Sequence, residues 1–129
     1  MLDYPIGTKF VYSDLSFILL AEIAERILGG SIDQISNIYF SKMKMFNTTY
    51  LPSKEILWNI APTEYSSNII NYWGFRQKLI RGVVHDPTAY LFEGVAGHAG
   101  IFSTVFDLLL YMQIHLNKGI APDGTRIYP

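Results

Sequence analysis

The chain contains no cysteine. This excludes a disulfide framework, a thiolate nucleophile and zinc sites of the Cys type, and leaves the redox compartment open. Charge is scarce as well. Only 16% of the 129 residues are charged, ten basic against eleven acidic, for a net charge of −1. They form no blocks, so there is no electrostatic footprint for nucleic acid or an anionic membrane. No apolar run approaches the ~20 residues that span a bilayer, because Glu22 and Asp107 interrupt the best candidates. Met1-Leu2-Asp3-Tyr4-Pro5 has neither the basic region nor the apolar core of a signal peptide. A soluble chain is expected, with no cofactor and no metal. No internal repeat or low-complexity tract occurs. A Gly-Lys-Ser/Thr ending, a Gly-x-Gly-x-x-Gly register and a Gly-x-Ser-x-Gly elbow are all missing, which argues against nucleotide binding and a Ser-His-Asp triad.

What is abundant is apolar and aromatic surface. Half the residues are hydrophobic, with nine Tyr, eight Phe and two Trp. Such a chain can bury a core as one domain and suits a packed or pocket-lining module. Ser13 or Asp14 is placed to cap a helix running to about Leu28, with an apolar stripe of Leu15, Ile18, Leu19, Ile23 and Ile27 and a Glu22–Arg26 pair at i, i+4. Gly29-Gly30 supplies the stop. Ser31 with Gln34 forms a capping-box pattern for a second helix that fades near Met45-Phe46. Pro52-Ser53 opens a helical turn, Trp58 to Thr63 reads as extended, and Arg76 to Val84 as a short strand. Asp86-Pro87 is a helix start with Pro at the first helical position. Ser103-Thr104 starts the last helix, where Thr104 with Asp107 resembles a capping box and Val105, Leu108, Leu109, Met112 and Leu116 are apolar. The residues alone describe a mostly helical, aromatic-rich α+β domain.

Two groups could carry chemistry. Tyr12-Ser13-Asp14 sits at the mouth of the first helix. A tyrosine there can act as a base only if positive charge lowers its pKa from about 10. The local alternative is a plain cap. His85-Asp86 and His98, the latter inside Gly94-Val95-Ala96-Gly97-His98-Ala99-Gly100, are candidate cleft residues whose spacing matches no standard metal-ligand pattern. On the local reading Asp86 is a helix cap and His98 a loop residue.

The order of segments adds a resemblance. Pro5 to Asp14, followed by Phe17-Ile18-Leu19-Leu20, resembles the second motif of the serine β-lactamase and penicillin-binding-protein superfamily. It is most similar to the class C β-lactamase-related branch, where the pattern is Pro-Gly-x-x-Phe-x-Tyr-Ser-Asn. Phe40 to Thr49 is similar to a Pro-Leu-Gly-Met-x-x-Thr turn of that branch. Gly97 to Thr104 with Asp107-Leu108 resembles its glycine loop and Ser-Thr-x-x-Asp-Leu helix. Ala61-Pro62-Thr63-Glu64, Arg81 to Pro87 and Gly94 to Gly100 resemble a subgroup of bacterial serine hydrolases.

The resemblance implies a partial β-lactamase/transpeptidase-like fold over 1–129 and an acyl-serine mechanism on an ester, amide or lactam bond. It implies Tyr12 as the base, Asp14 as a polar positioner in the place of the usual asparagine, and His85, His98 and Gly100 as substrate-binding residues. It further implies a bacterial periplasmic or extracellular parent and a small-molecule or peptide-like substrate. The chain departs from the pattern in one respect that matters: no Ser-x-x-Lys precedes Tyr12. The one formal match, Ser41-Lys42-Met43-Lys44, follows it. His98-Ala99-Gly100 has the letters of the third motif but the position of the glycine loop. The expectation is therefore a piece of a serine hydrolase that lacks its nucleophile segment and closing strands, is inactive alone, and has the missing flanking segments of its own domain as partners. The rival expectation is a non-catalytic helical binding or structural module in which Tyr-Ser-Asp is only a cap.

Overall fold

A computed structural model describes residues 3–65 and 79–129. Its elements run α1 (Asp14–Leu28), α2 (Ile32–Lys42), β1 (Thr49–Tyr50), a 3-10 turn (Lys54–Asn59), β2 (Glu64–Tyr65), β3 (Leu79–Ile80), α3 (Pro87–Leu91), β4 (Ile101–Phe102) and α4 (Val105–Leu116). Among the described residues, antiparallel pairing forms two short ladders and one isolated bridge between Ile120 and Arg126. Thr49 faces Phe102 and Tyr50 faces Ile101, while Glu64 faces Ile80 and Tyr65 faces Leu79. The architecture is the helix-dominated α+β type expected from the sequence.

Local signals explain most boundaries. Ser13 holds the N-cap position of α1 in extended conformation, and Glu22 accepts from Arg26 Nε at 2.6 Å one turn along. Ser31 and Gln34 form the expected capping box at α2, with the Ser31 N–H donating to Gln34 Oε1 at 3.3 Å. Glu25 of α1 adds a longer-range cap, accepting from the Ile32 N–H at 2.7 Å. Asp86 caps α3 by accepting from the Ala89 N–H at 2.7 Å, with Pro87 behind it at the first helical position.

Three expectations are corrected. Trp58 and Asn59 belong to the 3-10 turn, not to an extended segment. That turn is tied to β3 by Arg81, whose Nη1 donates to the carbonyls of Trp58 and Ile60 at 3.1 and 2.7 Å. The strand placed over 76–84 is only Leu79–Ile80; residues 76–78 lie outside the described residues. Thr104 does cap α4, accepting from the Asp107 N–H at 3.3 Å, but the Asp107 carboxylate does not complete a box. It is buried instead, accepting from Thr48 Oγ1 and the Asn47 N–H, both at 2.8 Å, and so locks α4 to the turn before β1. A buried carboxylate needs such donors, and they are too far away in sequence for a local pattern to announce them.

The main apolar cluster lies between the end of α2, α4 and the C-terminal segment: Met43, Met45, Ile114 and Ala121, with Phe40, Leu110, Ile127 and Tyr128 packed on it. His115 borders it, its ring tilted against those of Tyr111 and Tyr128 at centroid distances of 4.3 and 5.1 Å. The stripe assigned to α1 does not build this core. α1 has no buried residue, and Leu15, Leu19, Ile23 and Ile27 are all at least half exposed.

What places α1 is the glycine loop after α3. A Cβ on Gly97 would stand 2.2 Å from the Phe17 carbonyl oxygen and 2.7 Å from Ala21 Cβ, so only a residue without a side chain lets the loop lie against the helix. Gly100 closes the same loop: at φ +120° its Cβ would meet the Gly94 carbonyl at 2.3 Å and the Tyr50 ring at 3.0 Å. Tyr50 Oη also donates to the Ala96 carbonyl at 3.1 Å.

Three substitutions test this arrangement by urea denaturation. Ile114→Ala, at a fully buried position, should cost about 2–5 kcal/mol, whereas Leu116→Ala, two residues on and exposed, should stay within about 0.5 kcal/mol. Gly97→Ala should cost about 1–3 kcal/mol through overpacking against α1.

Candidate functional site

The first turn of α1, the start of α3 and the glycine loop meet at one place. Asp14, Asp86 and His98 each bring one ligand-type atom to within 4.8 Å of the other two. His98 is almost fully buried, and its Nε2 lies 2.8 Å from Asp86 Oδ1. The same Asp86 oxygen takes the Ala89 N–H, so the cap of α3 and the histidine contact share one atom. His98 Nδ1 is buried and has no hydrogen-bond partner among the described residues.

The electrostatics follow from two carboxylates with one imidazole between them. Burial would raise the Asp86 pKa, but the Ala89 N–H, the hydrogen bond and charge of His98 and the Thr88 N–H outweigh it, leaving the carboxyl below its usual range. Asp86 is therefore ionised at neutral pH. Tyr12, exposed just outside α1, is shifted the opposite way to a base. Its hydroxyl is held up first by hydrogen bonding to Asp14, then by the Asp14 charge, with smaller contributions from desolvation and from Asp86. Phenolate formation beside two negative carboxylates is disfavoured. No Lys or Arg among the described residues forms an ion pair with either carboxylate.

The expected site residues therefore divide. Tyr12, Asp14 and His98 come together. His85 and Gly100 line a separate open groove of about 1080 Å³, shared with Thr63, Ile101 and Val105. There His85 Nε2 pairs with Glu64 Oε2 instead of joining its neighbour Asp86 at the cluster. Asp86 belongs to both regions, since it also lines the groove. As a functional candidate it was hidden by its own capping signal: Asp-Pro before a short helix explains itself locally, and only the adjacent His85 marked the position. Asp14, Asp86 and His98 together are a donor set able to hold a cation, which linear spacing could not reveal because each residue comes from a different element.

A family model described as Beta-lactamase matches residues 1–128. The chain is similar, at 36% identity over 126 residues, to a Bacillus subtilis protein named N-acetylmuramyl-L-alanine amidase. It is 33% identical over 126 residues to an Escherichia coli protein provisionally named D-alanyl-D-alanine carboxypeptidase. Each match covers 92% of this chain and 29% of the relative, so the chain spans less than a third of the proteins it resembles. No solved structure gives a significant match. With the family matched over nearly every residue and the motif segments in family order, the chain belongs to the β-lactamase family of the serine β-lactamase and penicillin-binding-protein superfamily.

Proposed function

We propose that this chain is part of a serine hydrolase acting by acyl-serine transfer, with Tyr12 and Asp14 contributing to the catalytic centre, and that the chain alone is inactive. The observation that carries the reading is the meeting of Tyr12 and Asp14 with the Asp86–His98 pair at the contact between Gly97 and α1. Segments that the family resemblance orders along the chain converge in space, as parts of one site must. Both relatives carry names for hydrolysis of an amide bond next to alanine, which favours an amide or peptide-like substrate over an ester or lactam.

In this reading a serine from outside the chain attacks the carbonyl, its proton passes to the Tyr12 phenolate, and Tyr12 returns a proton to the amine as the C–N bond breaks and the acyl-serine forms. That transfer needs a cation beside Tyr12, because Asp14 and Asp86 push its pKa the wrong way. The lysine of a Ser-x-x-Lys segment would supply it, and Asp14 would hold the ammonium as an acceptor. His85 and Gly100 then border the substrate cleft along the groove, and the buried His98 holds Asp86 beside it. The rival module, in which Tyr-Ser-Asp is only a cap, is the less favoured reading, because Ser13 holds the N-cap position without a side-chain capping hydrogen bond.

Three outcomes are expected. A fluorescent β-lactam or a nitrophenyl ester should give no burst with this chain, since an activated nucleophile and its oxyanion donors are lacking; a stoichiometric, serine-linked burst would overturn the proposal of inactivity. Asp14→Asn should bring the Tyr12 pKa down towards its ordinary value, read by NMR of ring-labelled tyrosine. Asp86 governs the acid limb. Its folded pKa lies below the unfolded value of about 3.9, so its contribution is full above that value and fades as pH falls through the folded pKa. Asp86→Ala should therefore cost about 1 kcal/mol at pH 7 and flatten the loss of stability as pH falls below about 4, measured by urea denaturation.

A further inference from the structure

The open groove of about 1080 Å³ is walled largely by apolar side chains, Ile56, Ile60, Val83, Ile101 and Val105 among them. Its polar groups share one direction. Of the four hydroxyl side chains that line it, Thr49, Thr63, Ser103 and Thr104, the first three have their protons already placed. Thr49 Oγ1 donates to the Tyr50 carbonyl at 2.6 Å, and Thr63 Oγ1 to the Ile80 carbonyl at 3.3 Å. For Ser103 the direction is fixed from the interior. Thr48 Oγ1 has one proton and gives it to the buried Asp107 carboxylate at 2.8 Å. In the 2.7 Å contact between Thr48 and Ser103 the serine must therefore donate, which leaves it only acceptor capacity towards a groove ligand. The charge of the lining has the matching sign. Asp86 lines the groove, is 30% exposed and is ionised at neutral pH. His85 turns its Nε2–H to Glu64, so the neutral ring keeps only a lone pair at Nδ1. Among the described residues no lysine or arginine lines the groove, and the nearby Arg81 is held by the Trp58 and Ile60 carbonyls.

The geometry points to a groove for ligands that carry an ammonium group on an apolar stem, the ammonium against Asp86, the stem along Ile56, Ile60 and Val105, and any amide N–H on Ser103. As a statement about substrate this rests on the proposed function, and it narrows the amide or peptide-like substrate to one bearing a free amine. The argument is complementarity of donors and charge. An ammonium offers only donors, and the groove answers with a carboxylate and hydroxyl lone pairs. A carboxylate ligand offers only acceptors, so it would oppose Asp86 and face hydroxyls whose protons already point inward. Unpaired polar groups and opposed charges discriminate far more sharply than an apolar wall, which takes any stem of suitable size.

The test uses three probes with one stem and different head groups: 4-phenylbutylammonium, 4-phenylbutanol and 4-phenylbutyrate. Each is titrated into the full nitrogen-15-labelled chain, and affinity and location are read from backbone amide shifts. The ammonium should move amides along the groove, at Asn47, Ile56 and Ile101 to Val105. It should bind roughly tenfold tighter than the butyrate, with the alcohol between them. Asp86→Asn, which keeps a side chain able to cap α3, should remove most of the preference for the ammonium over the alcohol. The ranking of the three probes is measured on the unaltered chain and does not depend on any variant folding. Absence of ammonium binding, or butyrate binding as tightly, would overturn the inference. So would ammonium shifts confined to Tyr12 to Asp14, or full preference retained by the Asp86→Asn chain. The two readings fail separately. A serine-linked burst with a fluorescent β-lactam would sink the proposed inactivity and leave the head-group ranking standing, whereas a flat ranking would leave acyl transfer untouched.

Discussion

The site depends on a missing side chain. Gly97 lets backbone rest on the Phe17 carbonyl, and that contact fixes where the first turn of α1 stands relative to His98 and Asp86. α1 has no fully buried residue; Ile18, Ala21 and Ala24 are half-buried, and the Ile32 N–H to Glu25 bond ties its far end to α2, so the glycine loop is what the first half of the helix rests on. A methyl group at residue 97 would push the helix away and take Asp14 and Tyr12 with it. The glycine is thus a positional requirement for the chemistry and not a mark of looseness in the loop.

Given that contact, the electrostatic state of the site follows. Two carboxylates and a buried imidazole converge without a lysine or arginine among the described residues to neutralise them. The field keeps Asp86 ionised and makes Tyr12 a weaker acid than a free tyrosine. A family whose chemistry requires a tyrosine to accept a proton would need the reverse. Two carboxylates beside one imidazole suit the cluster to positive charge, which in the proposed function a lysine would bring. The outer stripes of α1 and α4 are apolar and at least half exposed among the described residues.

The sequence by itself determined the local events. The starts of α2, α3 and α4 follow from Ser31 with Gln34, Asp86 with Pro87, and Thr104, because caps act over three or four residues. Family membership was legible from the order of short motifs. Tertiary structure alone decided three things. It showed which apolar face turns inward, since periodicity identifies a stripe but not what lies against it: Ile114 went to the core while Leu109 and Met112 did not. It sent the Asp107 carboxylate to Thr48 instead of back to its own helix start, because a buried charge takes the best donors in space and not the nearest in sequence. It also separated the neighbours His85 and Asp86, one to Glu64 and the groove, the other to His98 and Asp14. Adjacent residues leave the backbone in different directions, and only the packing of the glycine loop on α1 determines which of them meets the site.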